Sequence, residues 1–310
     1  RRHTRYWRDW SSDVCSSDLR AMDLSGPRAP ALIRRAFCLA ILATVVIRAA
    51  APVAPPELSQ LGRADELEAA RILERFRASG VAGDFYLEFE LRALPRRGEE
   101  RVYSGRLWGG RRSGAAVFRV EVTDSAGATQ RLLLRNGVEA RGWRWEGGRA
   151  VPLDEKSSLV PLIPGTEISA FDLQMPFLHW PGATLEKITR VWGRPSNAFV
   201  FRAPSVIGDG ETAIAAARAY LDTQFNALMQ TELINPAGRI LKTYYLVSLK
   251  KVQDQHIPRQ ADYRNEVTRD KTRLEVAAAA LNAAWPASTF EPGELGSPGP
   301  VPGQLTRLTP

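Results

Sequence analysis

Cysteine and histidine are scarce in this chain: two Cys, at positions 15 and 38, and three His among 310 residues. A zinc site draws on several Cys or His at short fixed intervals, and no such spacing occurs here. A reactive thiol is favoured by neighbouring cations, whereas Cys15 lies between Asp13 and Asp18. Also missing are H-E-x-x-H, G-x-S-x-G, a P-loop and a G-x-G-x-x-G in a strand-to-helix context. The expectation is therefore no metal site, no cofactor and no catalytic residue. No apolar run approaches the roughly 20 residues that a membrane-spanning helix requires.

The start of the chain is unusual. Residues 1–19, RRHTRYWRDWSSDVCSSDL, resemble the translation of a short-read sequencing adapter, which makes them a non-native segment and Met22 the start. Residues 20–51 then read as a signal peptide: Arg28, Arg34 and Arg35 supply the basic region, Ala36 to Ile47 the apolar region, and Ala49 to Ala51 the small residues before a cut after Ala51. The competing reading is a buried N-terminal helix. The pair Arg34-Arg35 also has a twin-arginine character. Cys38 opens the apolar run instead of following it, so no lipobox is formed, and a soluble, periplasmic mature protein is expected.

Removing these pieces changes the charge balance. Residues 1–19 hold four Arg and three Asp, and residues 20–51 hold five Arg and one Asp, so the formal charge falls from +8 to +3. A nucleic-acid partner needs a concentrated cationic surface, and this loss argues against one. Both cysteines leave as well, so the mature chain must be held together by its core, which residues 52–285 are numerous enough to form as one domain.

What is present is strand upon strand. Glu57 to Ser79 is predicted to be an amphipathic helix, with Leu67, Ala70, Leu73 and Phe76 on one stripe and Gly80 as its stop. From Asp84 the period becomes two: Phe85, Leu87, Phe89 and Leu91 alternate with Tyr86, Glu88, Glu90 and Arg92, one dry face and one wet face. Further strands are expected over 101–108, 115–123, 130–135 and 138–145, then 187–192, 197–202, 219–222, 227–234, 240–252 and 272–278. Asn136-Gly137 and Gly147-Gly148 suit tight hairpins, and Asn235-Pro236-Ala237-Gly238 a type I turn. Successive strands without long helices between them indicate an antiparallel sheet, a mainly β fold. Residues 286–310, rich in Pro, Gly and Ser, read as a disordered tail.

Reaction chemistry finds no foothold. His179, between Leu178 and Trp180, reads as a structural histidine. Asp172, Asp222, Asp262 and Asp270 could supply a carboxylate pair, but the sequence brings no two of them together.

The most distinctive stretch is ISAFDLQMPFLHWP at 168–181, followed by VWGRP at 191–195. It resembles the central signature of the outer-membrane lipoprotein-sorting, LolA-like family, and Tyr220-Leu221-Asp222, the long strands flanking Asn235 to Gly238, and Thr272-Arg273-Leu274-Glu275-Val276 follow in matching order. The resemblance covers most of 57–281. It implies an open, strongly curved antiparallel β-barrel, with an N-terminal helix and lid helices over an apolar cavity. It also implies a carrier of lipoproteins or other acylated cargo, passed from an inner-membrane donor to an outer-membrane acceptor by a monomer. Two departures stand out: the Asp-Gly-x-aromatic turn before the last strands is replaced by Asp254-Gln255-His256-Ile257-Pro258, and the resemblance does not assign the family's lid arginine to a position in this sequence.

The physical logic of a carrier is that each CH₂ of an acyl chain left in water costs about 0.8 kcal/mol. An unclosed barrel offers an apolar container. The lipid-binding candidates are Leu173, Met175, Phe177, Leu178, Trp180 and Trp192, the last placed with Trp143 and Trp145 behind the others. Met suits a wall that adapts to variable chains. For each the competing reading is ordinary core packing. Two other functional classes are open: a periplasmic sensor or scaffold that recognises lipoproteins and signals to a membrane partner, and a lipid-processing enzyme.

Overall fold

The computed structural model describes residues 66–308. The adapter-like segment, the signal peptide and the first part of the helix expected from Glu57 lie outside the described residues. Helix α1 spans Glu66–Ala78. Its buried stripe is Ala69, Ile72 and Leu73 with Phe76 packed beside them, the i, i+3, i+4, i+7 pattern of one helical face. The predicted stripe is thus rotated, since Leu67 is 66% exposed. Arg111 donates to the carbonyls of Arg77, Ala78 and Ser79, satisfying acceptors that a helix end leaves open.

The strands are β1 (Asp84–Leu94), β2 (Arg101–Arg112), β3 (Ala115–Thr123), β4 (Thr129–Arg135), β5 (Arg141–Glu146), β6 (Arg149–Pro152), β7 (Thr184–Val191), β8 (Arg194–Ile207), β9 (Ile214–Asp222), β10 (Leu228–Ile234), β11 (Ile240–Val252), β12 (Gln255–Asn265), β13 (Lys271–Ala283) and β14 (Thr306–Arg307). They form one antiparallel sheet in the order β6-β5-β4-β3-β2-β1-β13-β12-β11-β10-β9-β8-β7, with β14 off this path beside β13. Two meanders are therefore joined at β1 and β13, where Leu91 faces Leu274. The end strands β6 and β7 do not pair with each other, so the sheet remains an open, curved half-barrel.

The two-residue period places Phe85, Phe89, Leu91 and Ala93 of β1 in a core on the inner face. On the opposite face of β1, predicted to be wet, Glu88, Glu90 and Arg92 are partly exposed, but Tyr86 is buried with Trp108, Val117 and Leu133. Two glycines of β2 make room for inner-face rings. Phe85 pairs with Gly109 and Phe89 with Gly105, and a Cβ on Gly105 would lie 2.3 Å from the Phe89 ring. Gly105→Val is expected to cost about 1–3 kcal/mol by overpacking, read as a lower urea midpoint with an unchanged m-value.

Several turns correct the sequence reading. Gly147 and Gly148, at φ 58° and 77°, close the β5–β6 hairpin as expected, and Gly238 N–H donates to Asn235 O in the β10–β11 turn. Asn136-Gly137 does not make a two-residue hairpin. Arg135 pairs with Arg141, because Asn136 N–H continues the ladder to Ala116 O, and Val138, expected in a strand, is 92% exposed. Trp192 lies not in a strand but at φ 53° in the β7–β8 turn beside Gly193. Strand β12 was hidden by Pro258, which precedes Gln260, where pairing with β13 begins, and lies opposite a β11 bulge, the positions a strand proline tolerates.

The C-terminal tail is not disordered through 308. Residues 287–290 and 292–294 form short 3-10 turns, β14 pairs with β13, and Phe290, Leu295 and Leu308 are buried. Pro and Gly remove helix and strand propensity, but here they let an extended backbone lie flat on indoles. A Cβ on Gly296 would lie 2.4 Å from Trp145, and one on Gly299 2.4 Å from Trp108. Trp108 Nε1 donates to Pro300 O at 2.7 Å. Arg119, nearly fully buried, donates to Glu121, to Glu294 O and to Ser297 O.

Candidate functional site: the segment across the concave face

Between the two sheet edges runs a single connection, residues 153–183. It carries α2 (Glu155–Leu159), α3 (Ala170–Gln174) and a 3-10 turn at Pro176–His179. Both helices are short, and each begins with a capping box, Asp154 with Ser157 and Ser169 with Asp172, which supplies hydrogen bonds that so brief a helix cannot supply itself. Met175, at φ 48°, ends α3 in the left-handed region and turns the chain into the 3-10 segment.

The segment is tied to elements around the half-barrel. Gln174 Nε2 donates to Arg135 O and Arg141 O, Arg77 Nε donates to Leu178 O at 2.7 Å, and Glu167 N–H donates to Thr272 Oγ1. Its apolar side chains fill the interior. Leu162, Ile163, Ile168 and Ala170 join one inner core, while Phe171, Phe177 and Leu178 join a second with α1, Phe199 and Phe201.

Of the lipid-binding candidates, five converge here. Phe177 and Leu178 are buried in the second core, Trp180 packs half-buried against it, Leu173 packs on the first, and Met175 touches both. Phe177 lies 6.0, 6.1 and 6.4 Å from the rings of Phe171, Trp180 and Phe201. Trp192 is not among them: it is 54% exposed and packs on Tyr245, whose neighbour Tyr244 faces the interior, so Tyr245 faces out. Trp143 and Trp145 are also elsewhere, on the outer face under the C-terminal tail. Strand parity explains the position of Trp143 and Trp145, and a turn with positive φ that of Trp192.

An ion pair stands among these apolar side chains. Lys242 Nζ lies 2.7 Å from Asp172 Oδ2, which also accepts from Ser169 N–H and Oγ–H. Beside the pair is a cavity of about 10 Å³, room for one water, bounded also by Met175, Phe177, Thr231, Leu233, Tyr244 and Tyr263. Register aligns Thr231 with Tyr244 and Tyr244 with Tyr263. Burial raises both phenols well above the ordinary tyrosine value. It also raises Glu167, against the hydrogen bond from Asn265. Burial, then the nearby Arg77 and Arg111, lowers His179, which keeps it neutral at pH 7. Among the described residues no group of three or more His, Cys, Asp or Glu is placed to hold a metal, and no helix is long and apolar enough to cross a membrane.

Of the four acids singled out in the sequence, Asp172 belongs to this site. Asp262 is taken by Lys271 and Arg273, and Asp222 by Arg194. Lys242, Tyr244 and Tyr263 were missed. The signal available was parity: Lys242 alternates with Tyr244 and Leu246 on the apolar face of β11.

No protein-family model matches the chain, and no curated protein matches it. Solved structures do. A putative outer membrane lipoprotein-sorting protein domain from Vibrio parahaemolyticus is 16% identical at a TM-score of 0.63, covering 74% of this chain and 97% of that one. A DUF1329 family protein from Desulfovibrio piger is 11% identical at 0.61, covering 73% and 96%. A LolA superfamily protein from Nitrosomonas europaea is 13% identical at 0.56, covering 72% and 97%. At these identities the likeness establishes a shared fold, the open half-barrel expected from the 168–181 stretch.

Proposed function

We propose that this protein is an exported, periplasmic carrier that takes acyl chains of lipoproteins or related lipids into the concave face of its half-barrel. The observation that carries the reading is how that face is filled. The strands do not close on one another. Instead a connection with two five-residue helices occupies the interior with Leu173, Met175, Phe177 and Leu178. Elements this short owe their stability to packing rather than to their own hydrogen bonds, so an acyl chain offering equivalent apolar contact can exchange with them. The closed interior, with a cavity of about 10 Å³, is then the unloaded state, and loading requires the segment to move outward. The likeness to a putative lipoprotein-sorting domain supports the same reading. It assigns no catalytic residue, and its donor and acceptor would be membrane proteins on either side of the periplasm.

The test is saturable binding of a fluorescent long-chain acyl probe to the mature chain. Wild type should bind at micromolar protein, and Trp180→Glu should weaken binding about tenfold or more by placing a charge against the acyl path, with its thermal melt little changed because Trp180 is half-buried. A folded protein that shows no acyl binding would overturn the carrier.

A further inference from the structure

The carrier reading leaves the cargo's head group open, and the Lys242–Asp172 pair inside the half-barrel speaks to it. We propose that Lys242 recognises the anionic head of a single-chain amphiphile, a carboxylate or a phosphate ester, and that Asp172 stands in that head's place in the unloaded protein. The inference rests on the carrier reading and adds a ligand class to it.

Three observations carry it. First, Lys242 projects from the apolar face of β11, where a cation has no structural need, and its 2.7 Å partner comes from α3 and not from a neighbouring strand. The counter-charge is thus mounted on the segment that loading must displace. Second, moving that segment outward takes the Asp172 carboxylate with it and leaves the Lys242 ammonium without its counter-charge. An unpaired buried charge is strongly unfavourable. An anionic head restores the pair through a charge-assisted hydrogen bond, and a neutral head does not. Third, the surroundings are donors. Thr231, Tyr244 and Tyr263 bring hydroxyls to the same cavity, and among the described residues neither phenol oxygen is engaged in a hydrogen bond. Burial keeps both phenols protonated, so they can donate to an anion without repelling it.

Asp172 itself is prepared for release. Its carboxylate is also served by Ser169 N–H and Oγ–H within the capping box, and those two hydrogen bonds travel with it as the segment moves toward water. Lys242, with nothing comparable on its own strand, depends on what arrives.

The experiment compares palmitate, hexadecyl phosphate and 1-monopalmitoylglycerol, each below its aggregation threshold, as competitors of a neutral fluorescent acyl probe on the mature chain. Wild type should prefer at least one anion over the neutral lipid by about tenfold or more, the value of one charge-assisted hydrogen bond, and the better anion identifies the head as carboxylate or phosphate. The double variant D172N/K242M, which has no ammonium to leave unpaired, should bind the neutral lipid about as tightly as the anions and so lose the preference. D172N alone, which leaves the cation without its internal partner in the unloaded protein, should strengthen binding of all three lipids and keep the preference for the anion. Equal affinity for all three lipids in wild type, or a preference that survives in D172N/K242M, would sink the inference and leave the carrier standing. Failure to bind any of the three would remove the carrier reading, and this inference with it.

Discussion

Truncating the chain after Trp285 is expected to destabilise it by at least about 3–5 kcal/mol, the cost of deleting one large buried aromatic, and to make it prone to association. The residues removed include Phe290, Leu295 and Leu308, all buried. What they uncover matters more. The outer face of β1 to β5 carries Tyr86, Trp108, Trp143 and Trp145, a contiguous aromatic surface of the kind that monomers rarely leave in contact with water. Arg119 would lose its bonds to Glu294 O and Ser297 O while remaining over the Trp108 ring at 5.4 Å. Chemical denaturation and size-exclusion chromatography of the truncated protein check this. Full stability in a monomeric truncation would mean that the tail merely rests on the sheet. Phe290→Ala provides a milder version in the full chain, and Arg112 over the Phe290 ring at 4.6 Å would then lose its aromatic partner.

The tail also shows where sequence reasoning meets its limit. A Pro- and Gly-rich stretch reads as disordered because it lacks both propensity and periodicity. Its order comes from outside itself, from indoles on strands nearly 200 positions earlier, as in the 2.7 Å bond from Trp108 to Pro300. Composition cannot register such a partner. The sheet was legible for the opposite reason: strands such as Asp84–Leu94 carry most of their burial in their own alternation. Where strands were missed or trimmed, a local rule gave way to a tertiary one. Pro258 is admitted to β12 because the neighbouring strand begins pairing only at Gln260. Asn136 was a poor hairpin residue because its N–H was already committed to Ala116 O.

The candidate site was half legible. The stretch at 168–181, singled out by its family resemblance, lies in the segment that fills the concave face. Which tryptophans accompany it was not legible. Trp143, Trp145 and Trp192 are apolar enough to line a cavity, and only the parity of their strands, or for Trp192 a turn with positive φ, sends them to the other side. Lys242 was overlooked because a lysine in a strand is ordinarily a solvated residue. Its alternation with Tyr244 and Leu246 was the one sign that it is not.

That lysine supplies the second large effect. K242M alone is expected to cost about 3–5 kcal/mol, because it leaves the Asp172 carboxylate buried without its cation; the side chains of Lys242 and Asp172 are 20% and 5% exposed. The double variant D172N/K242M should recover most of that loss, since a buried ion pair exchanged for neutral groups of similar shape is often close to neutral in stability. A double-mutant cycle by urea denaturation reads the coupling directly. A large coupling with a recovered double variant means that the pair was not selected for stability, for a neutral pair would hold the segment as well. A charge pair without a stability return is what a site poised to trade one anion for another requires. A small coupling would instead mean that water reaches the pair freely, and that the segment closing the half-barrel is held by its apolar side chains, Phe177 and Leu178 foremost, with the charges as bystanders.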